Sequence, residues 1–137
     1  MKKLSLLLLI SLLIMPSIVS AQETKSKKNK AEVLYFKDKL PCCPGRACNI
    51  LQSDVDSVVT KNFSDKNVDF KVIYMIAPEN KVLVEKYKAK SQSVILIKTK
   101  RKKEVVVDLT PIVTSYKKSK DRLKFETELK AKINSVL

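Results

Sequence analysis

No histidine and no tryptophan occur in the 137 residues, and there is a single glycine, Gly45. Without histidine the chain cannot build a Ser-His-Asp triad, a Cys-His pair or a histidine-ligated zinc site. One glycine is too few for a P-loop or a dinucleotide fingerprint, both of which need several where the backbone approaches phosphate. Arginine is scarce as well. Arg46, Arg101 and Arg122 stand among 28 basic residues, set against 14 acidic ones for a net charge of +14. Readers of nucleic acid rely on arginine's bidentate fork and on stacking aromatics, and aromatics here are 6%. The lysines run along the whole chain and read as a solvated surface, with no nucleic acid as partner. Hydrophobic residues at 45% suffice for a core, and the length suits one domain. The chemistry left open rests on three cysteines, on carboxylates, or on neither.

The N-terminus reads as an address. Lys2 and Lys3 precede an apolar run from Leu4 to Met15, and Pro16 to Ala21 then supplies small residues. Val19 and Ala21 stand at the −3 and −1 places of a signal-peptidase site. The run falls well short of the roughly 20 residues needed to span a bilayer. Residues 1–21 are therefore expected to be a cleaved signal peptide, and the protein to be exported, to the periplasm or outside the cell, with no stable membrane insertion. Residues 22–31 are strongly basic and almost free of large apolar side chains, as expected of a flexible leader. The domain is expected over 32–137.

Within it, strand and helix patterns alternate. V-L-Y-F (33–36) is a short apolar run suited to a strand buried on both faces. Ala47, Ile50, Leu51, Val55, Val58, Val59 and Phe63 recur at helical spacing. V-D-F-K-V-I-Y-M (68–75) predicts a second strand, and Pro78-Glu79 opens a short helix with Val82, Leu83 and Tyr87 on its apolar side. V-I-L-I (94–97) and E-V-V-V-D-L (104–109) predict strands joined by the basic turn T-K-R-K-K. Thr110-Pro111 starts a helical C-terminus whose buried stripe is Phe125, Leu129, Ile133 and Val136, with Leu123 nearby. The order is β-α-β-α-β-β-α. The first two strands should be parallel across a helical crossover, and the last two antiparallel. A four-stranded mixed α/β sheet with helices on both faces meets every connection, and this order resembles the thioredoxin architecture.

Cys42, Cys43 and Cys48 lie in L-P-C-C-P-G-R-A-C-N, between the first strand and the first helix. A sulfur at a helix N-terminus meets unpaired backbone N–H groups and the positive end of the dipole, which favour thiolate. Thiolate is the species that attacks a disulfide, giving a mixed disulfide that a second thiol resolves. Cys42 and Cys43 are adjacent, and a bridge between neighbours demands a strained backbone. Cys48 is therefore expected in whatever disulfide forms, with Cys43 favoured as its partner through the Pro44-Gly45 turn.

At these residues the chain resembles a family within the thioredoxin-like superfamily, the exported bacterial nitrophenyl-compound nitroreductase subunit ArsF family. The likeness rests on V-L-Y-F, the corner ending A-C-N-I, F-K-V-I-Y, V-E-K-Y, V-I-L-I and V-V-V-D-L-T. It implies the fold and a dithiol; no cofactor is expected. It also places Ser93 where thioredoxins carry a substrate-binding cis-proline, Tyr35 where they bury an aspartate, and no tryptophan before the cysteines.

The favoured activity is thiol–disulfide oxidoreduction or thiol electron transfer, with Cys43 as nucleophile, Cys48 resolving, Cys42 alongside and Ser93 touching substrate. The expected partners are protein or small-molecule disulfides and thiols and a membrane electron donor, and the protein is expected as a monomer. Two alternatives remain at this point. Cys42, Cys43 and Cys48 together suit copper(I) or trivalent arsenic, and the domain also fits a non-catalytic interaction protein with a structural disulfide. Asp54 and Asp56, like Glu126 and Glu128, are spaced two apart and diverge on a helix, as solvated positions do. Cleavage after Ala21 predicts that N-terminal analysis of the protein from its host begins at Gln22. Intact Met1 on a membrane-bound species would refute it.

Overall fold

The computed structural model describes residues 30–38, 47–101 and 103–137. The expected signal peptide, most of the leader, Cys42 and Cys43 lie outside the described residues. The chain is α/β. Strand β1 (Ala31–Lys37) leads to helix α1 (Ala47–Phe63), strand β2 (Val68–Tyr74) and the short helix α2 (Lys81–Lys86). Strands β3 (Val94–Lys100) and β4 (Lys103–Asp108) follow, then helices α3 (Thr110–Ser119) and α4 (Arg122–Asn134). β1 takes in Ala31, which the sequence pattern assigns to the leader.

The four strands form one mixed sheet in the order β2-β1-β3-β4. β1 runs parallel to β2, with Ala31 opposite Val68, and antiparallel to β3, with Tyr35 opposite Val94. β3 and β4 form an antiparallel hairpin closed at Lys100 and Lys103. These directions agree with the connections expected from the sequence. Among the described residues, no helix is long and apolar enough to cross a membrane.

Two apolar clusters lie on the two faces of the sheet. On one, Val33, Tyr35, Val94 and Leu96 pack against Leu51, Val55 and Val59 of α1 and Phe125, Leu129 and Ile133 of α4. On the other, Leu34, Phe36, Ile95 and Ile97 are covered by Leu83 and Val84 of α2 together with Tyr87 and Ala89. Each fully buried aliphatic side chain of this size contributes roughly 1.5–3 kcal/mol. Helices therefore cover both faces, as the alternation of elements requires.

Three expectations need correction. The C-terminal helix is two helices. Lys120 adopts a left-handed conformation at φ 59° and ends α3, and the Asp121 carboxylate then accepts the Lys124 N–H at 3.0 Å to cap α4. A capping aspartate restarts a helix because it satisfies a donor the first turn leaves open. Val82 is 73% exposed, since the six-residue α2 turns Leu83 and Val84 inward and leaves Val82 outside. Ile50 and Leu123 are exposed for the same reason of phase, each lying off the stripe set by its neighbours Leu51 and Phe125. Leu129 and Leu123 make a matched test on one helix. Leu129→Ala is expected to lower stability by about 2–5 kcal/mol and Leu123→Ala by no more than about 0.5 kcal/mol, read from urea unfolding.

Candidate functional site

Side chains alternate along a strand, so Val33, Tyr35 and Lys37 of β1 all point toward α1. Val33 lies in the core, Tyr35 lies one step further along, and Lys37 closes the strand at the end where α1 begins. The Tyr35 hydroxyl donates to the Cys48 carbonyl oxygen at 3.2 Å. The Lys37 ammonium donates to Asn49 Oδ1 at 2.7 Å and to Gln52 Oε1 at 2.9 Å. Lys37 is only 7% exposed. Two side chains of one strand thus hold the first turns of α1, the segment that carries Cys48.

The loop before β3 comes to the same end of the sheet. Gln92 N–H donates to the Phe36 carbonyl at 2.8 Å, and Phe36 N–H donates to the Ser93 carbonyl at 2.9 Å. Gln92 has φ 68°, the left-handed bend that lets the loop meet β1. Ser93 is buried, and its Oγ accepts the Lys90 N–H at 2.9 Å. Its own N–H donates to the Lys90 carbonyl at 2.9 Å. The residue that the resemblance sets against substrate thus has its hydroxyl turned into its own loop, where it closes a turn. No cis peptide bond occurs among the described residues.

The structure therefore brings Cys48, Tyr35 and Ser93 to one end of the sheet, while Cys42 and Cys43 lie outside the described residues. Cys48 is half-buried at the second residue of α1, and its sulfur is engaged rather than free. Among the described residues no group of three or more metal-ligating side chains comes together.

The sequence pattern gave no role to Lys37 and placed Asp54 on a solvated face. Asp54 is 8% exposed. It accepts from the Tyr116 hydroxyl at 2.8 Å and from Arg122 Nη1, and Arg122 Nε also binds Glu126 at 2.8 Å. Tyr116 in turn stacks on Phe125 with ring centroids 4.3 Å apart. Burial, and then the Asp54 carboxylate, push the Tyr116 hydroxyl above its ordinary value. This network ties α1 to α3 and α4 and is structural. Asp56 behaves as expected, accepting from Thr60 at 2.8 Å in an exposed pair. The signal for Asp54 was present in the spacing, because 51, 54, 55 and 58 share one helical face.

No family model matches the chain, and no curated protein matches it. Among solved structures, one described as "Structure of a malarial protein" is 26% identical, with coverage of 58% of this chain and 81% of that one. Its TM-score is 0.39, a likeness too low to bear on fold or function.

Burial pushes the Tyr35 hydroxyl up to about 12. The unfolded chain loses this proton near pH 10 and the folded chain only near 12, so Tyr35 stabilises the fold below pH 10 and loses that contribution as pH rises through 10 to 12. The stability difference between wild type and Tyr35→Phe is expected to stay level up to pH 10 and then to shrink. A difference that stays level to pH 12 would show that the hydroxyl is not buried.

Proposed function

We propose that this chain is an exported, thioredoxin-like thiol–disulfide oxidoreductase, similar to the ArsF family named above, working through Cys43 and Cys48. The carrying observation is the position of Cys48. It sits on the first turn of α1, directly beyond the C-terminal end of the central parallel strand, with its carbonyl held by Tyr35. In open α/β sheets, sites form outside the carboxyl ends of the strands. The sheet order, with β1 and β3 central and β3 antiparallel to both neighbours, supports the finer thioredoxin-like assignment.

In this reading Cys43 thiolate attacks one sulfur of a substrate disulfide. A bond from Cys43 to that sulfur forms while the substrate S–S bond breaks, and the departing thiolate takes up a proton. Cys48 thiolate then attacks the Cys43 sulfur, forming Cys43–Cys48 and releasing the second substrate thiol. The substrate gains two electrons and the protein dithiol loses them, and a dithiol donor, protein or small molecule, restores it. Pro44-Gly45 must turn between the two cysteines, because five residues along a helix rise about 7.5 Å, beyond disulfide reach. Arg46 stands two residues before Cys48 in the sequence, and a positive charge near a thiol favours thiolate.

The test is trapping. Cys48→Ser is expected to accumulate a mixed disulfide with a small disulfide substrate, detected by mass, and Cys43→Ser to accumulate none. If neither variant traps a partner and the native disulfide resists mild reduction, the cysteines are structural and the reading fails.

A further inference from the structure

We infer that Lys37 sets the redox potential of the Cys48 disulfide couple by keeping an ammonium against the first turns of α1, an inference that rests on the thiol–disulfide reading above. A positive charge is unwelcome here on ordinary stability grounds. Lys37 is 7% exposed, and the oxygens it binds belong to the neutral amides of Asn49 and Gln52. Among the described residues it has no carboxylate partner, and a buried ammonium without a counter-ion carries a desolvation penalty. The start of a helix is also the positive end of its dipole, which further disfavours a cation.

A methionine would continue the run V-L-Y-F and remove both penalties. What the lysine provides is positive potential where Cys48 lies. Gln52 is four residues beyond Cys48 and so on the same helical face, and Asn49 is its immediate neighbour. A disulfide is uncharged, whereas the reduced pair carries a thiolate. A nearby cation therefore stabilises the reduced side of the couple and makes the disulfide easier to reduce. Lys37 is a positioning residue in this scheme, acting on the couple without bonding to substrate.

The measurement is the equilibrium of the mature protein with glutathione, at pH 7, read by alkylating free thiols. Two glutathione thiols reduce the protein disulfide and leave as glutathione disulfide, so the protein gains two electrons and keeps one of the two protons on a thiol, while the other passes to solvent and leaves one thiolate. Lys37→Met is expected to lower the equilibrium constant for reduction about tenfold, which is about 30 mV for a two-electron couple. Lys37→Arg keeps the charge and is expected to stay within about threefold of wild type. Gln52→Ala, at a partly exposed position, loosens the ammonium and is expected to shift the constant in the Met direction by about threefold. It decides the matter should Lys37→Met fail to fold. Wild-type values in both Lys37→Met and Gln52→Ala would overturn the inference while leaving the thiol–disulfide reading intact. A wild-type protein that never equilibrates with glutathione would overturn that reading itself, before any variant is made.

Discussion

Strand β1 has almost no free surface beyond Glu32. Its edges are paired to β2 and β3, and Val33, Leu34, Tyr35 and Phe36 are essentially excluded from water on both faces. A strand so placed has all its backbone groups satisfied by neighbours, and the burden of meeting water falls on its ends. At its C-terminal end the inward alternation reaches Lys37, and the helix opposite must supply oxygens. This requirement explains the change of character along α1. Its first turns present Asn49 and Gln52 to the strand end, while Leu51 between them, and then Val55, Val58 and Val59, face the core.

A second polar tie joins the helices over that core. Asp54 is set among apolar neighbours and is made tolerable by Tyr116 and Arg122, which arrive from α3 and α4. Because Tyr116 also stacks on Phe125, the same ring contributes both a hydrogen bond and apolar cover. Removing either partner leaves a buried carboxylate under-satisfied, a larger loss than the bond itself. Tyr116 and Arg122, on either side of the break at Lys120, both reach this one carboxylate.

The strands and their directions were legible because apolar runs and crossover lengths state them locally. Of the three cysteines, Cys48 falls on the first turn of α1, and Cys42 and Cys43 lie outside the described residues. The division of the C-terminal helix was not legible, because a left-handed lysine leaves no mark like glycine or proline. Asp54 was misplaced although its spacing sets it on the apolar face, because the partners that make a buried carboxylate tolerable lie 62 and 68 residues away. Lys37 was passed over for a similar reason. Its burial depends on Asn49 and Gln52, residues that look like any exposed polar pair on a helix. Local chemistry writes itself into local spacing, and contacts between distant elements do not.

The central place of β1 also governs how the chain must assemble. The hairpin of β3 and β4 closes between Lys100 and Lys103 and forms among near neighbours. β1 is the first strand among the described residues, yet Ala31 waits for Val68 on one side and for Lys98 on the other. Closing those loops is slow because the ordering entropy precedes the contacts that offset it. In that interval V-L-Y-F is bare, a short β-forming run able to pair with the same run in another molecule. Lys30 stands before β1, and Lys37 and Asp38 follow the run. Charges flanking a sticky segment act as gatekeepers against such pairing. The lysine that closes the strand in the folded protein therefore also guards it in the nascent one.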